Sequence, residues 1–305
     1  MFKNLSPNGR GMLAITGASI IFVFSDALAK IATRSWPVAQ YLTVRGVFAI
    51  AIAAALVVAN GEVRNIGKIR HPLIIARSML EAIVALCFIT ALSMMPLADL
   101  TSLLMLSPLV ITVLAVLMFS EVVGWRRWSA IFAGFIGMVL VVQPGGAASA
   151  APNYMFAVSL GLLSVLGVAA RDIVTRRLNS DVPNVVVMLA TSVGSCSAGL
   201  ILSPIVPWQA FEWQPFLIAA GTSIMLTMGN FCMIIGCRGV DLSVVAPYRY
   251  SAVIWSISLG ALVFGDLPNM LSIIGMCIIV ASGIYTLHRE RVRQREAHAR
   301  SAKTG

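Results

Sequence analysis

The stretch LADLTSLLMLSPLVITVLAVLMF, residues 97–119, decides the fold class of this chain. Its 23 residues include a single charged side chain, Asp99. A helix of about 20 apolar residues crosses the ~30 Å hydrocarbon core of a bilayer, because each residue adds about 1.5 Å to its length. The stretch therefore predicts a membrane-spanning helix rather than a helix of a soluble domain.

Nine other runs of similar length and character occupy most of the remaining chain. They are Gly11–Ile31, Val38–Ala59, Pro72–Met95, Trp128–Val142, Tyr154–Val174, Val185–Ile205, Pro215–Ile235, Leu242–Phe264 and Met270–Leu287. No connection between the runs is long enough to form a soluble domain. We predict an all-α membrane protein with ten transmembrane helices.

The composition excludes several other classes of protein. Of the 305 residues, 59% are hydrophobic and 11% are charged, whereas soluble domains have about 45–50% apolar and about 25% charged residues. An ordinary cytosolic enzyme, a disordered chain and a secreted disulfide scaffold are therefore all excluded. The five cysteines include no CxxC pair and the three histidines do not cluster, so we predict no metal site and no cofactor.

The basic residues predict the direction of the chain in the membrane. The net charge is +10, and sixteen Lys and Arg side chains fall on one side of the predicted spans against Arg34 alone on the other. Such an excess marks the cytoplasmic side, so both termini are predicted to be cytoplasmic in a plasma membrane, in a bacterium the inner membrane. The charge is therefore assigned to topology and the lipid bilayer rather than to nucleic acid.

The first span also resembles a secretory signal, because Lys3 and Arg10 precede an apolar stretch that ends in Ala27-Leu28-Ala29. Asp26 next to the supposed cleavage point does not suit a signal peptide. Removal of this span would also leave nine spans and break the internal repeat. We therefore keep it as a transmembrane helix.

Two halves of five spans are related by short sequence matches at a common offset. Thr33-Arg34 recurs as Thr175-Arg176, and Asp99-Leu100-Thr101 recurs as Asp241-Leu242-Ser243, both 142 residues later. The predicted organisation is a first repeat, a Gly/Ala/Pro-rich linker, a second repeat and a basic tail that is disordered or lies on the surface: 1–142, 143–153, 154–287 and 288–305.

Because five is an odd number, the second repeat enters the membrane from the opposite side. Inverted repeats place a substrate site near the midplane, between halves that open alternately to each side. The chain lacks the GxxxxGK[ST] loop that holds ATP phosphates. The pattern therefore predicts a secondary transporter.

A set of motifs in the two halves connects the chain to a known family. In the first half they are Pro96-Leu97-Ala98-Asp99, Leu106-Ser107-Pro108-Leu109, Ser120-Glu121, Gly124-Trp125-Arg126-Arg127-Trp128 and Gly134-Phe135-Ile136-Gly137. In the second half they are Ala246-Pro247-Tyr248-Arg249-Tyr250-Ser251, Phe264-Gly265-Asp266-Leu267-Pro268 and Ile274-Gly275.

In this order, the motifs resemble EamA-type members of the drug/metabolite transporter superfamily. The resemblance implies a ten-helix bundle of two EamA repeats around a central cavity. It also implies transport of amino acids, their analogues or other small metabolites, often outward. Asp266 stands where glutamate is commoner in the second repeat, and the family is diverse in substrate.

Arg249 is the predicted substrate-binding cation. It is flanked by Tyr248 and Tyr250 and precedes Trp255 by six residues. A guanidinium offers parallel donors to a carboxylate, and aromatic faces give stacking area to an apolar or aromatic side chain. The alternative is that Arg249 pairs with an acid of another helix and that Trp255 is a core residue.

Two prolines, Pro108 and Pro247, fall at comparable depth in the two halves. A proline removes a helical hydrogen bond and invites a kink, which can expose carbonyls to a cavity and serve as a hinge. Ser107 beside the first proline and Asn230 in the eighth span are polar candidates to line the same cavity. The alternative is that both prolines are tolerated without a mechanical role.

Charged pairs within the spans are candidates for coupling or for structural ion pairs. Asp26 and Lys30 are four residues apart in the first span, and Arg77 and Glu81 are four apart in the third. A charge near the bilayer centre costs at least ~3 kcal/mol, so these groups are expected to be paired or to face water. Glu81 is a candidate to exchange a proton in a coupled cycle. Arg45 has no acid within a turn and is expected to meet a carboxylate of a neighbouring helix.

The function predicted from the sequence is export of amino acids or related small metabolites by alternating access, and a monomer is compatible with it. An uptake permease for an anionic or nucleotide-like metabolite is the alternative within the same class. An intramembrane enzyme is disfavoured because the chain has no GxSxG, HExxH or GxGD motif and no histidine within a span, so no catalytic residue is assigned. A scaffold or receptor without flux is disfavoured by the inverted repeat.

Overall fold

The computed structural model describes residues 7–119, 124–145, 153–178, 182–237 and 245–304. These parts of the chain are helical apart from short turns, and they contain no β-strand. Their eleven α-helices are α1 (Pro7–Ser35), α2 (Val38–Ala59), α3 (Pro72–Met94), α4 (Leu97–Leu104), α5 (Ser107–Phe119), α6 (Trp125–Val142), α7 (Tyr154–Arg176), α8 (Asn184–Leu202), α9 (Trp213–Cys237), α10 (Ser251–Leu259) and α11 (Met270–Thr304).

Nine spans in the described part of the chain are long and apolar enough to cross a membrane, with α4 and α5 together forming one of them. A helix satisfies its backbone donors and acceptors internally, which is required where no water is present. The chain is therefore an all-helical integral membrane protein. The tail, for which disorder or a position on the surface was predicted, is helical through Thr304, because α11 continues without interruption.

The helix ends differ from the predicted ones by a few residues. α1 is longer at both ends than Gly11–Ile31, and α6 begins at Trp125 rather than at Trp128. Hydropathy marks the part of a helix within the hydrocarbon, whereas the hydrogen-bonded helix continues into the interface. The carboxyl-terminal end of α8 is an exception, because the helix ends at Leu202, three residues before the predicted Ile205.

The predicted ninth span, Leu242–Phe264, is not one continuous α-helix where it is described. Residues 242–244 lie outside the described residues. The rest consists of a 3₁₀ segment at Ala246–Tyr250, then α10, then a π-helical turn at Gly260–Phe264. Pro247 lies in the 3₁₀ segment, where its missing N–H and fixed ring favour a local change of helix type. Most of the predicted linker, residues 146–152, also lies outside the described residues.

The fourth span is interrupted between α4 and α5. Met105 N donates to Ser102 O at 3.1 Å and Leu106 N donates to Leu103 O at 3.0 Å, which is the tighter 3₁₀ pattern. Pro108 is the second residue of α5, where a missing N–H has no helical partner to lose. The predicted distortion is therefore present, but it lies just before the proline rather than at it.

The most extensive contacts between helices join the first half of the chain to the second. α1 packs on α9, α2 on α8 and α9, α3 on α7 and α8, and α6 on α11. Smaller cross-half contacts join α1 to α10, α5 to α7 and α4 to α10. The two halves are thus interleaved, and the apolar core is shared between them.

Small residues bring these helices close together. A Cβ atom added at Gly275 of α11 would lie 2.5 Å from the backbone oxygen of Gly137 on α6. A Cβ atom added at Gly46 of α2 would lie 2.5 Å from the Cβ of Cys196 on α8. Within a bilayer, helix association depends on such close packing because lipid is as apolar as the helix surface.

Candidate functional site

A cation of α1 and two acids meet at one end of the bundle. Lys30 Nζ donates to the Met95 carbonyl oxygen at 2.8 Å and lies 3.5 Å from Asp266 Oδ2. Asp99, in the first turn of α4, is 6% exposed and accepts a hydrogen bond from the Tyr154 hydroxyl at 3.1 Å. Lys30 is also an electrostatic neighbour of Asp99. Lys30, Asp99, Tyr154 and Asp266 are called the Lys30 cluster below.

The aromatic ring of Phe264 contacts two cations at this end of the bundle. The Lys30 ammonium lies 4.9 Å from the centre of the Phe264 ring, and the Arg34 guanidinium lies 5.2 Å from it. A cation over an aromatic face is attracted by the ring quadrupole. Phe264 therefore holds the end of α1 against the π-helical turn that precedes Asp266.

A second charged cluster joins α3 to α7. Arg171 Nη1 donates to Glu81 Oε2 at 2.8 Å, and its Nε and Nη2 donate to Asp172 Oδ1 at 3.1 and 2.9 Å. Arg77 Nε donates to Thr175 Oγ1 at 2.9 Å. The Arg171 and Glu81 side chains are 23% and 28% exposed, so the pair is largely withdrawn from the surface. These five residues are called the Arg171 cluster.

The two clusters lie at opposite ends of α7. Tyr154 begins this helix and Arg171 is 171 − 154 = 17 residues further on. At 1.5 Å per residue this separation is about 26 Å, close to the thickness of the hydrocarbon core. The two clusters therefore lie near opposite ends of the bundle.

The ion pairs predicted within α1 and within α3 are replaced by contacts to other helices. Lys30 pairs with Asp266 rather than with Asp26. Glu81 pairs with Arg171, while Arg77 hydrogen-bonds to Thr175 and remains only an electrostatic neighbour of Glu81. Side chains that face a packed neighbour meet the partners that the neighbour offers, and helical spacing alone does not show those partners. The coupling roles of these residues remain predictions.

Deeper in the bundle, α1, α2 and α9 form a third polar group. Arg45 lies 5.6 Å from the ring centre of Tyr41, and it interacts electrostatically with Asp26 of α1. The Tyr41 hydroxyl is 3.0 Å from Thr222 Oγ1, and Ser223 Oγ donates to the Arg45 carbonyl oxygen at 2.8 Å. Arg45 makes no direct ion pair with a carboxylate in the described residues, so its expected pairing with another helix remains a prediction.

The residues predicted around Arg249 point to different surroundings. Tyr248 is 40% exposed and Arg249 is also exposed. Tyr250 is 5% exposed and packs against Gly283 of α11. Trp255 lies at the edge of the core, and its Nε1 is buried without a hydrogen-bond partner. The structure thus separates the two tyrosines, one outward and one buried, and the substrate role of the group remains a prediction.

The other predicted lining residues lie on two further helices. Asn230 is exposed on α9 and Ser107 is half-buried at the start of α5. Their role in lining a cavity remains a prediction. Within the described residues, no three His, Cys, Asp or Glu side chains are placed to hold a metal ion.

Tyr154, Asp266 and Arg171 were not among the predicted site residues, although each makes a central contact. The repeat offset gave a signal only for Asp172, the neighbour of Arg171. Lys30 and Asp172 are 172 − 30 = 142 residues apart, the same separation as Thr33 and Thr175. Charged residues at equivalent positions of the two halves mark the two ends of the bundle.

The fold and the paired clusters define a membrane protein built from two similar halves. The EamA-like transporter family model matches residues 9–143 and again 155–287. The chain therefore belongs to the EamA-like transporter family, as the sequence motifs indicated, and it is a transporter and not an enzyme.

Named relatives support the same class. The pseudopaline exporter CntI of Pseudomonas aeruginosa is 24% identical over 282 residues, which cover 90% of this chain and 94% of the exporter. The S-adenosylmethionine uptake transporter of Rickettsia bellii is 24% identical over 66% of this chain and 67% of its own length. The riboflavin transporter of Vibrio cholerae is 27% identical over 64% of this chain and 63% of its own length.

A solved crystal structure supports the fold. It superposes with a TM-score of 0.63 at 19% sequence identity and covers 92% of this chain and 98% of its own. At this identity the likeness concerns the fold alone. The relatives include an exporter and uptake transporters, so they share transport but not its direction or substrate.

Proposed function

We propose that this protein exports amino acids or related small metabolites by alternating access between two inverted five-helix repeats. The observation that carries the proposal is the pattern of helix contacts. If the repeats are equivalent, α1 corresponds to α7, α2 to α8, α3 to α9, and α6 to α11. When each helix is replaced by its equivalent, the contact between α1 and α9 maps onto that between α7 and α3. The contact between α2 and α9 maps onto that between α8 and α3. All four contacts are observed.

Contacts between equivalent helices complete this pattern. α2 packs on α8, α6 on α11, and α4 on α10. Each such contact maps onto itself when the two halves are exchanged, as expected around a two-fold axis. The pattern therefore supports two interlocked repeats, in which the segment Leu242–Phe264, ninth in chain order, is added to the nine spans found in the described residues to give ten. Interlocked inverted repeats can rock about a site near the midplane.

The substrate class is inferred from the polar groups of the interior. Asp26 and Arg45 offer opposite charges from two helices, and neither is engaged in a direct ion pair in the described residues. Arg249 adds an exposed guanidinium from the ninth span. A small solute that carries both a carboxylate and an ammonium group, as amino acids do, suits such groups.

The direction of transport and the location are proposed on separate grounds. Export is favoured because the relative named as an exporter aligns over 94% of its length. We infer a bacterial inner membrane with both termini cytoplasmic from the sixteen basic residues on one side of the spans. A monomer is compatible with this function, because both repeats are present in one chain.

Overproduction in cells tests the proposal. We expect one or more amino acids or close derivatives to accumulate in the medium faster than in cells with an empty vector. Purified protein in liposomes should then move the same labelled solute down its gradient. Net uptake of a nucleotide-like solute without efflux of amino acids would instead support the alternative permease. Absence of flux for a full panel of amino acids and nucleotides would contradict both readings.

A further inference from the structure

At each end of the bundle, a cation lies between an acid of its own half and an acid of the other half. Lys30 belongs to the first half; it pairs with Asp266 of the second half and neighbours Asp99 of the first. Arg171 belongs to the second half; it pairs with Glu81 of the first half and with Asp172 of the second. The two ends thus share one arrangement, although their residues differ.

The acids and cations have further contacts across the halves at both ends. Asp99 accepts from Tyr154 of the second half at 3.1 Å. Arg77 of the first half donates to Thr175 of the second half at 2.9 Å. When the halves separate at one end, every one of these cross-half contacts at that end is broken together.

Each buried charge that loses its cross-half partner has an opposite charge of its own half within reach. Lys30 is held at the Met95 carbonyl oxygen by a 2.8 Å hydrogen bond, four residues before Asp99, so its ammonium already lies beside the start of α4. Asp266 has a side chain that is 38% exposed, so water can solvate it when the pair opens.

The charges of the Arg171 cluster also have partners within their own halves. Glu81 has Arg77 one helical turn away on α3, and the two already interact electrostatically. Arg171 keeps the two hydrogen bonds to Asp172, at 2.9 and 3.1 Å. Separation of α3 from α7 therefore leaves two pairs, one in each half, and no isolated charge.

We propose that Lys30 and Arg171 are latches, which hold the two ends of the transporter shut through cross-half ion pairs. When the Lys30 end opens, Lys30 passes from Asp266 to Asp99; when the Arg171 end opens, Glu81 passes from Arg171 to Arg77, while Arg171 keeps Asp172. An unpaired charge in a low-dielectric region is costly, so an exchange of partners keeps the barrier to opening low. This inference rests on the alternating-access mechanism proposed above, and it assigns the residues that govern the two openings.

Substitution of the two acids near Lys30 should have opposite effects on the opening of the Lys30 end. Asp266→Asn weakens the closed state and should favour opening of the Lys30 end. Asp99→Asn keeps an oxygen that accepts from Tyr154 but removes the partner of the open state, so it should keep this end shut. We expect the ratio of open to closed molecules to change by at least about fivefold in each case.

Spin labels report the opening directly. In a cysteine-free background that retains transport, labels at Ser35 and Leu267 would measure the distance across the Lys30 end by electron–electron double resonance; the Leu267 side chain is 78% exposed. Labels at Arg70 and Leu178 would measure the other end. Glu212→Gln, at an exposed acid outside both clusters, is the matched control and should leave both distributions unchanged.

The Arg171 end provides the mirror experiment. Glu81→Gln should open it, whereas Arg77→Gln, which can still donate to Thr175, should keep it shut. The latch proposal is overturned if the two variants at one end shift the distances in the same direction, or if none of the four shifts them while the transported solute does. If the solute also leaves both distances unchanged, alternating access itself has failed.

Discussion

Replacement of Arg171 by alanine should destabilise the protein through the acids that it leaves behind. The guanidinium makes one hydrogen bond of 2.8 Å to Glu81 on α3 and two of 2.9 and 3.1 Å to Asp172 on its own helix. Hydrogen bonds to charged groups contribute about 1.5–3 kcal/mol each when buried. Only the bond to Glu81 joins two helices, so it dominates the cost.

The magnitude is reduced by partial exposure and by a neighbouring cation. The Glu81 and Asp172 side chains are 28% and 36% exposed, and Arg77 remains near Glu81. We therefore expect a loss of about 2 kcal/mol, below the roughly 3–5 kcal/mol of a fully buried broken ion pair. At about 2.1 cal/mol/K of unfolding entropy per residue, this corresponds for 305 residues to a melting temperature lower by about 3 °C.

Thermal unfolding in a mild detergent, followed by tryptophan fluorescence, measures this effect. Arg171→Lys keeps the charge but not the geometry that serves two acids, and it should lose about half as much stability. Arg64→Ala removes an exposed cation of the connection between α2 and α3 and should be neutral. If the Arg171→Ala and Arg64→Ala variants have the same melting temperature, the ion pair between Arg171 and Glu81 does not stabilise the packing of α3 on α7.

Three further predictions follow from other contacts. Tyr41→Phe removes the hydroxyl that lies 3.0 Å from Thr222 Oγ1 and should cost about 1 kcal/mol in thermal unfolding; an unchanged melting temperature would contradict a role for this bond. Gly275→Ala places a Cβ atom 2.5 Å from a backbone oxygen of α6 and should cost about 1–3 kcal/mol, whereas Gly17→Ala, with open space around its Cβ position, should be neutral in the same assay. Arg249→Ala should abolish transport while the protein remains in the membrane at normal amount, and transport with an unchanged Km would reject a substrate role.

Much of the fold was predictable, because whether a segment forms a membrane-spanning helix depends mainly on its own apolar residues and backbone hydrogen bonds. A run such as Val38–Ala59 must be helical in a bilayer whatever it packs against, and the observed α2 has those bounds. The ninth span was less predictable. Its hydropathy indicates one helix, but Pro247 and the π-helical turn divide the described part into three segments.

The partners of the charged residues were not predictable from helical spacing. Asp26 and Lys30 lie on one helix at the spacing of an ion pair, yet Lys30 reaches Asp266, 236 residues away. Such a contact depends on how α1 meets the end of the ninth span, which no local pattern encodes. The repeat offset between Lys30 and Asp172 marks charged positions at opposite ends of the bundle, but it does not give their partners, since Lys30 pairs with Asp266 and Asp172 pairs with the adjacent Arg171.

The interleaving of the two halves has a consequence for biosynthesis. α1 leaves the ribosome long before α9, its main packing partner, and α2 long before α8. The newly inserted amino-terminal helices must therefore wait in the lipid with small-residue surfaces uncovered, where quality-control proteases can reach them. A chain cut within the linker should accumulate only when both fragments are synthesised together, since each fragment supplies the surfaces on which the other is assembled.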